Sequence, residues 1–533
     1  MIALKQVAVV ATGSFLFGYN LSVTNTAINH IATDLYPCSA RSLSIPESCG
    51  PYLTDLTRCY VANECINGPL KVCDPPRPAD CVEAAGKSRW ASTIIYLGAL
   101  VGSTQGPGLL NRGRRRVVLG ALWLYVVVGL ATLTVDGFYG VLLLRAMAGV
   151  GMGVVASSVP VYIAEVTPDS HRGSFGVVHQ LALSVGVLAG VLVGLPLELP
   201  QFDSLAVTKG VVEAVAGKTN GWWRLMLFMN AIWALVGVAF LTFRFLDDTP
   251  MWYLEQGRHV KAQDVLRRLN DRDDVTEEMA ALDRALTMAA AAKISQFDSL
   301  TDPRYRRVLF VGVVLSLLQQ FSGINVFLGT SNQLFELAGM SPHVSTVMST
   351  IMTALFAATT LPTMFLIESI GRRSLLLFGI SGQVLFMAPA TLLLWVSPDS
   401  QWTVLCQILA VFGFVICFGV AFGPVLWVYI FEIFPMEIRA TGVRLSLAAN
   451  WMGSFCMVFA VNALPDSISA YTLFLATNVL SLLFVLTAVK ESQGRAFGDS
   501  PYVPAASEVF WEGASFLSPI PTPELTPVES QQA

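Results

Sequence analysis

Twelve stretches, each long and apolar enough to cross about 30 Å of hydrocarbon, begin near residues 6, 90, 117, 139, 175, 222, 307, 344, 374, 402, 441 and 468. Few folds are open to such a chain. In lipid the backbone N–H and C=O groups must be satisfied inside the protein, so the spans are expected as helices packed on one another. The chain is 54% hydrophobic and only 13% charged, far more apolar than a soluble protein of average composition. The basic residues are spread over many short loops, and no zinc, phosphate-loop or basic-region pattern is present, which argues against nucleic acid as a partner. The N-terminus has neither a charged leader nor an Ala-x-Ala site, so the first apolar segment is expected to stay as a span.

Charge gives the topology. The loops after spans two, four, six, eight and ten carry Arg112, Arg114, Arg115 and Arg116, then His171 and Arg172, a long polar segment, Arg372 and Arg373, and Arg439 with Arg444. The short loops around Asp136, Asp399 and Asp466 contain no Lys or Arg. The positive-inside rule then places both termini in the cytoplasm of a multi-pass protein, with the plasma membrane the expected location. Between spans one and two, Cys38, Cys49, Cys59, Cys65, Cys73 and Cys81 read as three disulfides in an oxidising compartment, which independently puts that loop outside. Fifteen pairings are open, and no Cys-x-x-Cys pair supports zinc instead. Cys406, Cys417 and Cys456 lie in spans as small apolar fillers.

The chain is internally duplicated. Glu165, Pro168 and Arg172 after span four recur as Glu432, Pro435 and Arg439 after span ten, each displaced by 267 residues. Gly113-Arg114-Arg115 is answered by Gly371-Arg372-Arg373. Glycines four apart, as Gly98 and Gly102, Gly149 and Gly153, or Gly186, Gly190 and Gly194, mark places where helix backbones can meet.

Function is expected where span seven puts amides into a helix. Gln319, Gln320 and Asn325 fall within seven residues, and polar side chains in hydrocarbon face a partner or a wet cavity. Amides are uncharged and offer both donors and acceptors, which suits a neutral, hydroxyl-covered ligand such as a sugar; the alternative is bonding between helices. At about 100° per residue a straight helix would point Gln319 and Asn325 apart, but Ser322-Gly323 is a plausible break that would turn both toward one cavity.

The run Gln319-Gln320-Phe321-Ser322-Gly323-Ile324-Asn325 resembles the seventh-helix signature of the sugar porters of the major facilitator superfamily, over roughly residues 1 to 495. Within it the chain is most similar to protozoan hexose transporters of malaria-parasite and trypanosomatid type, and it is related to animal facilitative glucose transporters. The resemblance implies twelve helices in two pseudo-symmetric bundles: 1–249, with 33–88 as the outer cysteine-rich loop, and 307–490. A cytoplasmic helical linker would occupy 250–306 and a disordered tail 491–533. It implies a hexose held by Gln180, Gln319, Gln320, Asn325, Trp427 and Asn450. It also implies cytoplasmic salt bridges among Arg112, Arg114, Arg115, Arg116, Glu165, Arg172, Glu368, Arg372, Arg373, Glu432 and Arg439 that hold the halves together when the site opens outward. His179, about 100° round the helix from Gln180, is read as structural.

The departures from the family pattern are specific. Gly329 and Thr330 stand where animal glucose transporters carry two tyrosines, Phe356 where they carry an asparagine and Gly419 where they carry a glutamate. Proton-coupled members read Gly-Tyr-Asp in span one beside an arginine of span four; here Gly18-Tyr19-Asn20 faces Arg145. An amide does not titrate in the physiological range, so the expectation is a passive facilitator of glucose, with fructose open, working by alternating access. A proton-coupled symporter and a sugar sensor that does not transport are the alternatives. Asn20-Leu21-Ser22 matches a glycosylation acceptor but lies inside a span. With no nucleophile, metal cluster or phosphate loop in or beside the spans, the chain is not expected to be an enzyme, to need a cofactor or a metal, or to work as other than a monomer.

Overall fold

The computed structural model describes residues 2–35, 79–167, 172–198, 221–291 and 300–503, the last stretch without 338, 399, 436, 462, 465–466 and 495–499. Among the described residues the regular structure is entirely helical. The first half comprises α1 (Ile2–Leu35), α2 (Ala79–Leu109), α3 (Arg114–Ala131), α4 (Phe138–Val166), α5 (Arg172–Glu198) and α6 (Trp222–Phe243). Three short helices follow: α7 (Pro250–Glu255), α8 (His259–Asn270) and α9 (Thr276–Ala291). The second half comprises α10 (Pro303–Phe321), α11 (Ile324–Leu337), α12 (Pro342–Ile370), α13 (Arg372–Val396), α14 (Gln401–Cys417), α15 (Gly423–Glu432), α16 (Arg439–Val461) and α17 (Ser467–Ala488).

Among the described residues ten stretches have the length and mean hydropathy to cross a membrane, with α10–α11 and α14–α15 each counting once; α2 and α3 complete the twelve. Hydropathy misses α2 because Gly, Ser, Thr and Gln dilute its C-terminal half, and α3 because it opens on three arginines. Those small residues let α2 lie against α4: a Cβ on Gly98 would come within 2.1 Å of the Ala146 carbonyl oxygen, and one on Gly149 equally near that of Ile95. Burial is inverted relative to a soluble protein. Trp123, Phe240, Phe365, Phe378 and Leu385 point outward, while Asn20, Arg145, Gln180, Gln319 and Asn450 are inside. The medium that tolerates this is lipid, and the chain is an all-α membrane protein.

Contacts between the halves follow the duplication. Helix α2 packs on α16 and α5 on α12, while α1 meets α11 and α5 meets α15. In the repeat α2 corresponds to α12 and α5 to α16, so the two main seams exchange under a pseudo-two-fold relation. The first half closes on itself through α1–α5 and α2–α4, the second through α10–α16 and α13–α14. The short helices α7 to α9 lie at one end, called here the linker face; the opposite end is the far face. Helix α7 begins where Thr249 accepts the Trp252 N–H and Pro250 fills the first helical position, and α8 buries Ala262, Val265, Leu266 and Leu269. Cys38, Cys49, Cys59, Cys65 and Cys73 lie outside the described residues, as does the side chain of Cys81.

Candidate functional site

The site starts from the break in span seven. Helix α10 ends at Phe321, Gly323 takes φ +98°, a left-handed conformation that favours glycine, and α11 restarts at Ile324. A second departure at Thr330 (φ −139°, ψ 22°) bends the outer part of α11. The first break brings the amides together. The Gln319 side chain donates to the Phe422 carbonyl at 2.9 Å, and its Oε1 accepts from Asn450 Nδ2 at 2.9 Å and Gln320 Nε2 at 3.2 Å. Gln320 also donates to Asn450 Oδ1 at 3.0 Å, and Asn325 donates to Gln320 Oε1 at 2.6 Å and to Ser454 Oγ at 3.1 Å. Three helices thus share one neutral network in which each amide answers another.

The acceptor on Phe422 belongs to a second break. Residues Phe418–Phe422 form a single π-helical turn between α14 and α15. Pro424 has no N–H for the carbonyl four residues back, and Thr363 of α12 supplies the missing donor to Val420 O at 2.6 Å. Wide turns of this kind recur at functional sites in helices.

Gln180, Gln319, Gln320, Asn325, Trp427 and Asn450 all line one central cavity of about 30 Å³, walled otherwise by Phe17, Leu21, Phe356, Phe418 and Trp451. That volume holds a water or two and no sugar, so the site is collapsed in this structure. Trp427 is held in place by ring contacts with His179 (5.3 Å, edge-on) and Phe17 (6.5 Å, edge-on), and His179 Nδ1 is 2.7 Å from Ser14 Oγ. At the far face Asn25 of α1 donates to Ser331 Oγ of α11 at 2.8 Å, a bond between the halves, and Trp90 of α2 packs on Phe455 and Phe459 of α16.

A second buried polar group lies in the first half alone. Arg145 donates to the Asn20 carbonyl and to Thr24 Oγ1, both at 3.2 Å, and Asn20 and Asn230 exchange amide bonds at 2.8 and 3.2 Å. All three side chains are buried, and among the described residues no carboxylate pairs with Arg145.

The repeated charges meet at the linker face, each set inside its own half. Arg114 binds Glu165 at 2.9 Å and Glu255 of α7 at 2.6 Å, and Thr249 donates to Glu165 at 2.5 Å. Arg115 is held by the Leu241 and Phe245 carbonyls, and Arg116 lies over the Trp252 ring. Asp248 accepts the Arg115 N–H; burial pushes its carboxyl up, against the pull of the Thr249 and Arg115 N–H groups. In the second half Arg372 binds Glu432 at 2.8 Å and Glu368 at 3.1 Å. Glu491, just past α17, accepts the N–H groups of Arg372 and Arg373, and Ser492 donates to Glu432. Arg439 donates to the Phe434 carbonyl and Arg112 is exposed, while the Arg172 side chain lies outside the described residues. Among the described residues Ser174 of α5 links the halves across the seam by donating to the Met364 carbonyl of α12 at 2.7 Å.

Reading the sequence missed Ser454, Asn230, Trp451, Phe17 and the Phe422 carbonyl. Ser454 had a signal, standing four residues after Asn450 and so on the same helix face. The Asn20–Asn230 pair spans 210 residues and no local pattern joins them.

Two broken helices meeting around a buried, uncharged polar cavity between two duplicated six-helix bundles define a membrane carrier of the major facilitator fold. The chain matches the sugar (and other) transporter family over residues 6–503 and belongs to it. It is 32% identical to hexose transporter 1 of Toxoplasma gondii over 548 residues, covering all of this chain and 88% of that protein. It is 30% identical to hexose transporter 1 of Plasmodium falciparum over 506 residues, covering 94% and 92%. Its fold is similar to that of the proton:xylose symporter XylE bound to 6-bromo-6-deoxy-D-glucose, with a TM-score of 0.71 at 20% identity, covering 93% and 98%.

Proposed function

We propose that the chain is a facilitative hexose transporter of the plasma membrane, with the linker face and both termini cytoplasmic, working by alternating access without ion coupling. The amide network supports the substrate class. Gln319, Gln320, Asn325 and Asn450 are bonded to one another while the cavity is collapsed, and a pyranose would exchange those bonds for its own hydroxyls at little net cost. Gln180 adds a partner from the first half and Trp427 an apolar face for the ring, so the sugar would bridge the two bundles. The protozoan relatives named as hexose transporters point to the same class.

Uncoupled transport rests on Asn20. XylE is a proton symporter, and a symporter needs a group that takes up and releases a proton as the site changes face. In this chain Arg145 is held by the Asn20 backbone carbonyl and the Thr24 hydroxyl, beside the mutually bonded Asn20 and Asn230 amides, none of which titrates in the physiological range. Gating is assigned to the charge clusters Arg114–Glu165–Glu255 and Arg372–Glu432–Glu368, each of which fixes the linker end of its own half, the second against Gly173 of α5, and to Asn25–Ser331 between the halves at the far face.

The test is counterflow of labelled glucose in proteoliposomes of the pure protein with a pH dye inside. Exchange without a sugar-dependent pH change is expected. Binding without counterflow would make the protein a sensor, and accumulation driven by a pH gradient would make it a symporter. Competition by unlabelled fructose reads the remaining choice of hexose.

A further inference from the structure

Three cations converge at the linker face of the second half: Arg307 in the second turn of α10, Arg373 at the start of α13 and Lys490 just past α17. Among the described residues none of them forms an ion pair. Two of them flank the Tyr502 ring, with the Arg307 guanidinium 6.0 Å and Lys490 Nζ 5.6 Å from its centroid. Lys490 Nζ donates to the Pro501 carbonyl at 3.0 Å. Arg373 donates to the Leu486 carbonyl at 3.0 Å, and its buried Nε has no acceptor. Immediately toward the membrane middle the surface turns apolar. Phe310, one turn along α10 from Arg307, is 59% exposed, its ring lies 5.9 Å from that of Phe484, and Leu483 and Leu486 also face outward.

A band of unpaired cations above an outward apolar wall has the polarity of a phospholipid laid alongside. We propose that Arg307, Arg373 and Lys490 hold the phosphate of an anionic phospholipid from the leaflet at the linker face, with its acyl chains along Phe310, Phe484 and Leu486. A free phosphate would use the cations and leave the apolar wall idle; a phospholipid uses both. The site is wired to the transport helices through Tyr502. Its hydroxyl accepts the Lys490 N–H at 2.8 Å and lies 2.7 Å from the Tyr429 hydroxyl, while Ser500 donates to the Ile433 carbonyl at 2.6 Å. Tyr429 sits on α15, two residues from Trp427 of the central cavity. A lipid phosphate that fixes Lys490 and Arg307 therefore fixes the Tyr502 clasp and, through it, the linker-face end of α15.

The experiment uses the full chain in nanodiscs of phosphatidylcholine with phosphatidylserine admixed, and reads retained lipid by native mass spectrometry. Juxtamembrane cations each favour anionic lipid, so the parent protein is expected to keep phosphatidylserine over phosphatidylcholine by roughly tenfold. The double variant Arg307→Ala, Lys490→Ala loses that preference, and Lys490→Arg keeps it. Equal retention of both lipids by the parent, or an undiminished preference in the double variant, overturns the site. Displacement of phosphatidylserine by inorganic phosphate overturns the lipid assignment in favour of a small-anion site. The coupling arm alone rests on the transport reading: phosphatidylserine should change glucose counterflow in the parent and not in Tyr502→Phe, which still retains the lipid. A response that survives in Tyr502→Phe removes the clasp from the proposal. Lipid retention is read without sugar, so its failure and the failure of the hexose reading are separate results.

Discussion

The two buried polar networks of this protein are built on opposite plans. In the second half, four amides from α10, α11 and α16 surround the central cavity, carry no charge and satisfy one another. In the first half, Arg145 brings a full charge into the bundle and is answered only by dipoles. A neutral network can trade its internal bonds for those of a ligand, because each bond lost is replaced by one of similar strength. A buried guanidinium has no such exchange with a neutral ligand available and needs an acceptor wherever it stays buried. The difference puts most of the exchangeable amides in the second half, with Gln180 the first half's amide at the same cavity. It leaves the first half with an amide, Asn20, which does not titrate in the physiological range, beside the buried arginine.

The largest expected effect comes from breaking the neutral network. The double variant Gln319→Ala, Asn450→Ala removes hydroxyl partners and leaves Gln320 under-satisfied, and a loss of about 3 kcal/mol is expected, near a hundredfold rise in KM for glucose uptake. Asn230→Ala, made in the other network, should lower thermal stability with KM unchanged. Equal KM changes from both variants would mean that the networks share one role.

Next comes a change that makes the first half resemble a coupled carrier. Asn20→Asp sets a carboxylate beside Arg145, and only its protonated form leaves the guanidinium as free as it is in the parent. Uptake by this variant should therefore fall as pH rises through the titration of the new acid, while uptake by the parent stays flat across the same range. A flat profile in the variant would show that Arg145 does not take part in the conformational cycle.

The sequence made much of this plan legible and left particular pieces dark. The spans were readable because an apolar run of about twenty residues has few other uses, and the break at Ser322-Gly323 because glycine next to an amide cluster is costly in a plain helix. The paired offsets of Glu165 and Glu432 were readable as a duplication, and the structure gives both the same work, each binding the arginine that follows span two or span eight. The π turn at Phe418–Phe422 was not readable, since it depends on Thr363 arriving from another helix. Nor was the packing of Ser500 and Tyr502 onto Ile433 and Tyr429, because a Pro- and Ser-rich stretch carries no periodic signal. Partners such as Asn230 lie beyond any local pattern and become visible only when the bundle is assembled.

The repeat-related clusters at the linker face offer a finer test. Glu432→Gln removes the nearer of the two charges that answer Arg372, leaving Glu368 at 3.1 Å, and weakens the bond from Ser492, in a part-buried site where a charge-assisted bond is worth about 1.5–3 kcal/mol. A cysteine placed in the linker-side vestibule should then react with a water-soluble maleimide roughly tenfold faster. Glu165→Gln should act more weakly, because the partner Arg114 keeps, Glu255 at 2.6 Å, is nearer than the one Arg372 keeps, Glu368 at 3.1 Å. Equal acceleration by the two would show that Glu255, on the short helix α7, contributes little to closure.

The smallest effect belongs to the far face, where among the described residues one neutral side-chain bond joins the halves. Asn25 donates to Ser331 at 2.8 Å, and both residues are buried. Asn25→Ala deletes that donor and also removes Asn25 Oδ1, which has no donor of its own in the closed state. The two changes oppose each other. The lost bond favours opening, and removing an unsatisfied buried oxygen favours staying closed, so the net shift should be about 1 kcal/mol or less. That corresponds to at most about a fivefold gain in labelling of a cysteine placed on the far-face stretch of α11, with KM nearly unchanged. A much larger gain would mean that the far face is held by this bond rather than by the packing of α1 on α11 and of Trp90 on Phe455 and Phe459. No gain at all would put closure wholly in that packing, and Trp90→Ala would then be the variant that opens it.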